Sequence, residues 1–482
     1  MSARVAMPMG APGSLVWFRR DLRLADNPAL HAALQSGRPV AAVYVFDETP
    51  HFGVGGAQKW FLHHALESLQ SRLRAIGVPL MFRRGKEGEL VKAVVRDTGA
   101  SAVYWNRRYA PEEIATDQSV KTDLKRQGVE VFSFNGSLLR EPWEIESKTR
   151  GPYRVFTPFW NSLRALGPSR AATPYPAKSQ AVRDLSIPDD ALGGWGLLPT
   201  KPNWASRFDA AWRPDEDAAS ESLDRFLAEK VRQYSEDRNR PDLQGTSRLS
   251  PHLALGTISP LTIWNRTQDA IAQGDLPEAE GLKFLSEIAW REFAYHLLFH
   301  NPQMPTSPLR AEFSRFPWRE DQQALRAWRR GMTGVPIVDA GMRELWQTGW
   351  MHNRVRMIVA SFLVKNLLSP WQLGERWFWD TLIDADPANN SASWQWVAGC
   401  GADAAPYFRI FNPVTQGEKF DPAGDYVRRY VPEVASLPAG LIHAPWQAPS
   451  AIRPSGYPAP IVDLDQTRKL ALLAYDVMKS RA

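Results

Sequence analysis

Residues 382–421 read LIDADPANNSASWQWVAGCGADAAPYFRIFNPVTQGEKFD, and they carry the strongest indication of fold and function in the chain. Two adjacent amides, Asn389 and Asn390, are followed by three small residues and then by two indoles, Trp394 and Trp396. Large residues of a core helix recur every three or four positions, and a half-buried strand does not suit the polar residues that precede the indoles. The pattern predicts a wall that offers amides and aromatic faces to a flat partner.

Tryptophan is concentrated around this stretch. The chain of 482 residues contains 20 tryptophans, and nine of them lie within residues 318–396. A tryptophan is most often a large core residue. Composition alone therefore does not separate a site from a core.

Cysteine content and apolar runs exclude several classes of protein. Cys400 is the single cysteine, so a disulfide framework, a cysteine zinc site and a four-thiolate iron–sulfur cluster are excluded. The first thirteen residues lack the apolar run of a signal peptide, and the longest apolar run, Met357–Val364, is too short to span a bilayer. These features predict a cytoplasmic protein with no membrane partner.

The N-terminal region alternates short apolar strands with amphipathic helices. The predicted strands are residues 14–18, 39–46, 78–82, 101–105 and 129–134. This alternation predicts an α/β domain over residues 1–135, with a doubly wound parallel five-stranded sheet. The G-x-G-x-x-G fingerprint is missing after the first strand, so a nucleotide bound in the Rossmann manner is not expected.

The rest of the chain divides into two further parts. Residues 136–205 are rich in Pro and Gly and predict an interdomain connector that lies over the surface. Residues 206–482 show apolar recurrence near 3.6 residues and predict an all-helical domain. Net charge is +6, with most of the excess N-terminal, so a polyanion on the helical domain must meet a local basic patch.

The run Thr246–Ser250 is a candidate phosphate site. Thr246, Ser247 and Ser250 offer hydroxyls near a predicted helix start, and Arg248 adds a guanidinium. The same residues also fit an ordinary helix cap. From these residues alone both interpretations stay open.

Two further segments crowd polar and aromatic residues on one helical turn. Glu287, Trp290 and Arg291 form the first, and residues 352–357 form the second. Each also fits a solvated charged face. His296 and His300 stand four apart without the intervening glutamate of a zinc-protease motif, so no metal site is predicted.

Several segments in a fixed order, taken together, resemble one protein family. They are WFRRDLRLADNPAL (17–30), VFTPFW (155–160), QGTSRLSPHLALG (244–256), FLSEIAWREF (284–293), TGVPIVDAGMRELWQTGWMHNRVRM (333–357) and the opening stretch. This order closely resembles the photolyase/cryptochrome family, from about residue 14 to about residue 475. The resemblance implies an N-terminal α/β domain and a helical domain that holds a U-shaped FAD.

The resemblance also implies which residues hold FAD. The matching positions are Tyr234, Thr246, Ser247, Arg248, Leu249, Ser250, Phe284, Arg291, Asn353, Arg356, Asp384, Ala385, Asp386 and Asn390. Asn390 matches the residue that faces flavin N5, and Glu287 and Asn390 match catalytic positions. An amide there hydrogen-bonds without donating its proton at neutral pH, which favours the fully reduced anionic flavin.

The two neighbouring indoles receive different roles from the same resemblance. Trp394, Trp371 and Trp318 match a chain of indoles that carries electrons between the flavin and the surface. Trp396 matches a wall on which a flipped pyrimidine dimer stacks, with Trp290 opposite. The positions that match contacts to the lesion or to its DNA are Arg238, Glu287, Trp290, Asn353, Arg354, Met357, Trp396 and Gln416.

The implied function is light-driven repair of cyclobutane pyrimidine dimers in DNA by a monomeric enzyme. A cryptochrome photoreceptor, a (6-4) photolyase and a dark FAD redox enzyme are the alternatives. A (6-4) photolyase is expected to carry His where Asn353 stands, and a redox enzyme is expected to show a dinucleotide fingerprint or a cysteine pair. An antenna chromophore is also implied near the α/β domain, with methenyltetrahydrofolate favoured over 8-hydroxydeazaflavin.

Overall fold

The computed structural model describes residues 13–49, 53–147, 151–177, 190–403 and 408–480. The first part of the chain forms a five-stranded parallel sheet in the order β3-β2-β1-β4-β5. Strands β1 and β2 are buried along their whole length, which explains their continuous apolar sequences. Each strand overlaps the segment predicted for it, and the doubly wound α/β fold is confirmed. The strands are β1 (Gly13–Phe18), β2 (Val40–Phe46), β3 (Leu80–Arg84), β4 (Ala100–Asn106) and β5 (Glu130–Phe134).

Helices connect the strands of the sheet in alternation. They are α1 (Pro28–Gln35), α2 (Gly56–Ala75), α3 (Glu87–Thr98) and α4 (Pro111–Arg126). The start of α1 is well specified, because the Asn27 side chain accepts a hydrogen bond from the Leu30 N–H and Pro28 occupies the first helical position. The strand–helix alternation therefore has local causes in the capping residues as well as in the apolar runs.

The loop between β1 and α1 is filled by its own charged side chains. Arg19 pairs with Asp117 at 3.0 Å. Arg23 is buried and donates to the carbonyl oxygens of Gly136 at 2.6 Å and Gly256 at 3.0 Å. A Rossmann nucleotide binds at this edge of a sheet. In this protein, Arg23 at that edge instead connects the sheet to Gly136 of the connector and to Gly256 of the helical region by hydrogen bonds.

The described part of the connector, residues 136–147, 151–177 and 190–205, contains more regular structure than its composition predicts. It contains helix α5 (Phe156–Leu166), and Phe156, Phe159 and Leu163 belong to an apolar core shared with the helical region. The prediction of a segment lying only over the surface is therefore wrong for this part. Pro158 lies in the first turn of this short amphipathic helix, Gly167 follows its last residue, and the helix buries one face.

The remainder of the chain is helical. The helices are α6 (Phe208–Ala211), α7 (Glu216–Arg225), α8 (Tyr234–Asp237), α9 (Ser250–Leu255), α10 (Pro260–Ala272), α11 (Glu278–His300), α12 (Gln322–Arg330), α13 (Pro336–Thr348), α14 (Asn353–Ser361), α15 (Trp371–Thr381), α16 (Pro387–Ala398), α17 (Pro413–Phe420), α18 (Asp425–Tyr430), α19 (Ala439–Ile442) and α20 (Leu464–Ser480). Among the described residues, no helix is both long enough and apolar enough to cross a bilayer.

The start of α2 docks on the end of α15. Gly55 has no room for a side chain, because an added Cβ would overlap the carbonyl oxygen of Trp379. The Gln58 side chain is fully buried, and its Nε2 donates to the Ala385 carbonyl oxygen at 2.8 Å. A helix of the α/β region therefore supports the turn between α15 and α16 from outside.

The junction at Gly256 predicts a specific loss of stability. Gly256 adopts φ +74°, and an added Cβ would overlap the carbonyl oxygen of Arg20. Gly274 adopts φ +78° with nothing within 4 Å of an added Cβ, so it is a matched control. We expect Gly274→Ala to cost about 1 kcal/mol and Gly256→Ala to cost roughly 2 kcal/mol more, because the loop must shift. Urea unfolding of both variants measures the difference, and equal losses would show that the close approach is not important.

Candidate active site

A cavity of about 530 Å³ opens between α9, α11, α14, α15 and α16. Its volume lies within the range of about 300–1,000 Å³ that is typical of ligand and cofactor sites. Most of the predicted site residues line it. They are Tyr234, Arg238, Ser247, Leu249, Ser250, Phe284, Glu287, Trp290, Arg291, Asn353, Arg354, Arg356, Met357, Asp384, Ala385, Asp386, Asn390, Trp394 and Trp396.

Five predicted residues do not line this cavity. Thr246 and Arg248 belong to the segment before α9, Trp371 and Trp318 lie in or against the apolar core behind the cavity, and Gln416 is on α17. The family resemblance implies that Trp371 and Trp318 lead away from a flavin, and their position behind the cavity is compatible with that role. The position of Arg248 agrees least with its prediction, because a direct contact with a bound phosphate would require its guanidinium to line the cavity.

The run Thr246–Ser250 begins a helix only at its last residue. Helix α9 starts at Ser250, and Arg248 adopts φ +54° in the segment before it. The Arg248 guanidinium lies 4.3 Å from the ring centroid of Trp212 and 5.0 Å from that of Trp350. Stacking on two indoles accounts for its direction. Only Ser250 of this run lies in the helix, and the Arg248 side chain points to two indoles. The side chains of Thr246–Ser250 therefore do not all face one ligand.

Asp384 is a buried acid with one satisfied oxygen. Its Oδ2 accepts from Arg356 Nη2 at 2.7 Å and from Ser250 Oγ at 2.6 Å. Its Oδ1 is buried and has no hydrogen-bond partner among the described residues. Buried carboxylate oxygens are rarely left unpaired. This oxygen is therefore positioned to accept a hydrogen bond from a ligand in the cavity.

Asp386 fixes the start of α16. Its Oδ1 accepts from the N–H groups of Ala388 at 3.1 Å and Asn389 at 2.8 Å, and its Oδ2 accepts from Tyr295 Oη at 2.6 Å. Pro387 occupies the first helical position. The polar segment before the two indoles is therefore the first turn of a helix, and this helix presents Asn389, Asn390, Trp394 and Trp396 to the cavity.

The direction of the Asn390 amide is set by Glu375 of α15. Asn390 Nδ2 donates to both the carbonyl oxygen and Oε1 of Glu375, each at 3.0 Å. Burial raises the pKa of Glu375 to about 7, and hydrogen bonds from Ser391 and Asn390 act in the opposite direction. With both amide protons directed at Glu375, Asn390 Oδ1 remains available as an acceptor.

Trp394 lies at the inner end of the cavity among other aromatic rings. Its ring centroid is 5.0 Å from that of Phe378 and 6.3 Å from that of Trp328. Gly374 has no room for a Cβ because the Trp394 ring lies against it. Trp371 is fully buried in the same apolar cluster, and Trp318 is partly buried and packs against it.

The mouth of the cavity combines acid, amide and basic side chains. Glu287 pairs with Arg238 at 2.8 Å. Arg354 Nη2 donates to Asn239 Oδ1 at 2.5 Å. Burial lowers the pKa of Arg354, and the nearby positive charges of Arg238 and Arg409 lower it further. The mouth therefore concentrates positive charge that suits an anionic ligand.

Helix α14 carries several of these groups and begins at a neutral histidine. His352 Nδ1 accepts from the Arg354 N–H at 3.2 Å. Burial lowers the pKa of His352 to about 3, and the neighbouring Arg354 and Arg356 act in the same direction. His352 is therefore neutral at pH 7 and can cap the helix as an acceptor.

Potential metal ligands lie outside the cavity. His63, His64 and Glu67 bring their ligand atoms within 4.8 Å of one another on α2. His296 Nε2 accepts a hydrogen bond from the Tyr153 N–H at 2.9 Å, so it is engaged in packing the connector. Neither group contributes to the cavity.

Comparisons with known proteins agree with this geometry. A family model described as DNA photolyase matches residues 14–178, and one described as the FAD binding domain of DNA photolyase matches residues 284–477. A deoxyribodipyrimidine photo-lyase of Agrobacterium fabrum is 49% identical over 475 residues, which cover 96% of this chain and 98% of that protein. The chain belongs to the photolyase/cryptochrome family.

Two further comparisons describe its place among the family members. A crystal structure of a bacterial class III photolyase from Agrobacterium tumefaciens matches with a TM-score of 0.94 and 47% identity, covering 99% of this chain and 100% of that one. Cryptochrome-1 of Arabidopsis thaliana is 38% identical, over 94% of this chain and 69% of that protein. The family therefore includes both repair enzymes and proteins named as cryptochromes.

The cavity fits the FAD that this family binds. The unpaired Asp384 Oδ1 offers an acceptor, Arg356 offers a cation, and Asn390 Oδ1 offers an amide oxygen. Tyr234 and Phe284 pack at 5.6 Å between ring centroids and supply an aromatic wall. A flavin needs polar edges and apolar faces together, and this photolyase-family cavity provides both.

Sequence reasoning missed several residues that shape the site. Glu375, Tyr295 and Arg409 were not selected, and neither was Phe156, whose ring stacks on Trp290. Glu375 gave one usable signal, because it is an acid within the largely aromatic run of α15. The others have no distinctive pattern, since their partners lie far away in the sequence.

The raised pKa of Glu375 predicts a pH dependence of stability. A carboxyl whose pKa is higher in the folded state stabilises the fold below its ordinary pKa near 4.5, and that stabilisation is lost as pH rises through about 7. We expect the unfolding free energy of Glu375→Gln to fall less between pH 5 and 8 than that of the parent protein, by about 1–3 kcal/mol.

Denaturant unfolding at several pH values checks this expectation. Gln at position 375 keeps an oxygen that can accept from Asn390, so the hydrogen bond itself is preserved. The exposed Glu221, which pairs with Arg213 at 2.9 Å, is the control, and Glu221→Gln is measured over the same pH range. A Glu375→Gln profile that matches the parent would contradict a carboxyl that titrates near neutral pH.

Proposed function

We propose that this protein repairs cyclobutane pyrimidine dimers in DNA, using light and fully reduced FAD. One observation carries the proposal. A single cavity joins a buried acid-and-amide segment, Asp384–Asn390, to a mouth formed by two indoles, an acid and several arginines. The inner part suits a flavin, and the outer part suits an extruded lesion with its anionic backbone.

We assign the binding of FAD to residues of the inner cavity. Asp384, Arg356 and Asn390 would contact the polar edge of the ring, and Tyr234, Ser247 and Ser250 would contact the ribityl and phosphate groups. Bound FAD, when fully reduced, supplies the electron that splits the dimer under light. Arg248 would act through position and long-range charge, because its guanidinium is stacked between two indoles.

Asn390 would keep an acidic proton away from the flavin. Both of its amide protons point to Glu375, so its free oxygen can only accept a hydrogen bond. A carboxylic acid at this position could donate a proton to a bound group, which an amide cannot do at neutral pH. The arrangement therefore supports a fully reduced flavin as the working electron donor.

The dimer would be held at the mouth after it leaves the duplex. Photolyases extrude their target bases, and a damaged site is cheaper to unstack than normal sequence. Trp290 and Trp396 would stack on the lesion, each contributing on the order of 1–3 kcal/mol. Glu287 and Asn353 would hydrogen-bond its polar edges, and Met357 would pack against it.

The DNA backbone would be bound by a cluster of arginines. Of the predicted contacts, Arg238 and Arg354 line the cavity. Gln416 lies on α17, and the ring of Phe420 at the end of that helix is 4.3 Å from the Arg354 guanidinium. We add Arg409, because its charge lowers the pKa of Arg354 and so places it within the same basic cluster. Phosphate contacts of this kind position the protein without reading the base sequence.

The salt dependence of DNA binding tests this cluster. Removal of one arginine that binds a phosphate should reduce the slope of log affinity against log salt by about 1. We therefore expect Arg238→Ala, Arg354→Ala and Arg409→Ala each to lower the slope by about 1. The exposed Arg126, which pairs with neighbouring Asp123, is the control. Slopes unchanged from the parent would remove these arginines from the contact surface.

The Trp371→Phe variant tests the electron route. A phenyl ring is much harder to oxidise than an indole, so photoreduction of oxidised FAD should slow strongly, while repair by chemically reduced enzyme should persist. Trp328 also lies 6.3 Å from Trp394 between ring centroids, so Trp328→Phe is measured beside it. Normal photoreduction in Trp371→Phe would exclude Trp394–Trp371–Trp318 as the main route.

A photoreceptor without repair activity is the second candidate, because proteins named cryptochromes are among the relatives. The complete set Glu287, Trp290, Asn353, Met357 and Trp396 around one cavity favours repair. Asn353 has no group that titrates near neutral pH, whereas reversal of a (6-4) product requires proton transfer during group migration. We therefore expect specificity for cyclobutane dimers.

Illumination of reduced protein with defined oligonucleotides tests the function. We expect light-dependent repair of a single cyclobutane dimer and no detectable repair of a (6-4) product. A dark sample and an undamaged strand are the controls. Repair of only the (6-4) substrate would contradict the lesion assignment, and repair of neither substrate by protein with bound FAD would favour the photoreceptor.

We also infer a second, antenna chromophore near the α/β region, with methenyltetrahydrofolate favoured over 8-hydroxydeazaflavin. In residues 104–113, Arg107 and Arg108 are paired with Glu141 and Glu87. These arginines are therefore already engaged, and the chromophore would rely on other parts of this region. Absorption spectra of extracted chromophores test the inference, and a deazaflavin spectrum would contradict it.

We expect the protein to act as a cytoplasmic monomer, which size-exclusion chromatography and cell fractionation would test.

A further inference from the structure

The motif VFTPFW at residues 155–160 lies at the start of α5 and does not line the cavity. Its two phenylalanines, Phe156 and Phe159, are buried, and Leu163 continues the same stripe one turn later. Apolar residues spaced three and four apart form one face of a helix. This face belongs to an apolar core that also contains residues of α11, so it packs the connector against the helix that carries Trp290.

The ring of Phe156 lies flat on the indole of Trp290. Their ring centroids are 3.7 Å apart, and the angle between their planes is 7°. Aromatic pairs usually adopt offset or edge-to-face arrangements with centroids about 4.5–7 Å apart. The packing of α5 on α11 therefore imposes the face-to-face arrangement, in which Phe156 covers one face of the indole.

The cavity is on the opposite side of this indole. Trp290 lines the cavity and is partly exposed, whereas Phe156 is buried and does not line it. Phe156 therefore covers the face of the indole that is turned away from the cavity, and the other face is left for a ligand. A second ring, Phe293, limits movement at the edge of the indole, because its centroid is 5.9 Å from that of Trp290 with 72° between the planes.

The stack determines how well the indole is ordered before a ligand arrives. Rotation of the Trp290 ring about its side-chain torsions would require Phe156 to move. Phe156 is held in the core by α5 and by Phe293, whose ring centroid is 6.0 Å from its own. A side chain that is ordered before binding loses less conformational entropy when a ligand stacks on it. The stack therefore favours a flat group that binds on the free face of Trp290.

We propose that Phe156 is a positioning residue that holds the Trp290 indole in the orientation that stacks on an extruded dimer. This role rests on the proposed binding of a dimer at the mouth of the cavity. Phe156 does not touch the lesion, because the indole lies between them. Undamaged DNA keeps its bases in the duplex and does not use this surface, so the contribution of Phe156 is specific for the lesion.

Three substitutions separate the flat ring of Phe156 from its contribution to the core. Phe156→Leu keeps an apolar side chain but removes the ring that stacks on Trp290. Phe156→Tyr keeps a flat ring in the same place. Phe159→Leu is the matched control, because Phe159 is a buried residue of the same helix whose ring lies 5.2 Å from that of Phe293 and 5.3 Å from that of His296 between centroids.

The first measurement is the dissociation constant of the FAD-bound protein in the dark, for an oligonucleotide with one cyclobutane dimer and for its undamaged counterpart. We expect Phe156→Leu to weaken dimer binding about fivefold, because the indole must then be ordered on binding. Phe156→Tyr and Phe159→Leu are expected to stay within about twofold of the parent protein. Binding of the undamaged strand and FAD content are expected to match the parent in all three variants.

The Trp290→Ala background shows whether Phe156 acts through the indole. Without the indole, the ring of Phe156 has nothing to orient. We therefore expect Phe156→Leu to weaken dimer binding no further in this background. Two residues that act independently would instead weaken binding by the product of their separate factors.

Fluorine NMR of protein labelled with 5-fluorotryptophan reports on the indole without any DNA. The Trp290 resonance is the one that is absent from the spectrum of Trp290→Phe. We expect this resonance to shift and broaden in Phe156→Leu, because the ring current of the stacked phenyl is lost and the indole becomes mobile. It is expected to keep its position and width in Phe159→Leu.

Different results identify different failures. A Trp290 resonance that is unchanged in Phe156→Leu would overturn the positioning role, and so would independent effects in the Trp290→Ala background. Equal weakening of dimer binding by Phe156→Leu and Phe159→Leu would also overturn it, since a general loss of core packing would then be the cause. A parent protein that binds both strands equally would instead contradict the proposed function, whatever the fluorine spectrum shows.

Discussion

The burial of two neighbouring carboxylates, Asp384 and Asp386, is the constraint on which the site depends. An unpaired buried charge costs several kcal/mol, so each acid requires specific partners. Arg356 and Ser250 satisfy Oδ2 of Asp384, and its Oδ1 faces the cavity without a partner among the described residues. Tyr295 and the first turn of α16 satisfy Asp386. These partners come from α9, α11, α14 and α16, so satisfying two charges brings four helices around one cavity.

The geometry of helix α16 places its site residues on two different faces. Residues two positions apart on a helix point about 200° apart, whereas residues four apart share a face. Asn390 and Trp394 therefore face the inner cavity and the aromatic core, and Trp396 turns toward the mouth. The close spacing of the two indoles, unusual for a core helix, follows from a helix that packs against the aromatic core on one side and lines the mouth of the cavity on the other.

The sequence predicts the sheet, the helical class and most cavity residues, because apolar periodicity and long motifs are local signals. Other features depend on contacts between distant segments. Asn389, Asn390 and Ser391 read as helix-breaking, yet the Asp386 cap and tertiary packing make them helical. Arg248 reads as a phosphate ligand, yet two distant indoles stack on its guanidinium. The importance of Glu375 and Phe156 becomes visible only once their partners Asn390 and Trp290 are placed beside them.

The central claim is that a flavin and an extruded dimer share this cavity in contact with each other. Fluorescence of the reduced, FAD-bound protein, titrated with oligonucleotides under weak excitation, tests it directly. The account predicts that a dimer-containing strand quenches the flavin emission, because the excited flavin transfers an electron to the lesion, and that an undamaged strand does not. Saturating binding of the dimer strand without any quenching would contradict the account, because the lesion would then be bound away from the flavin.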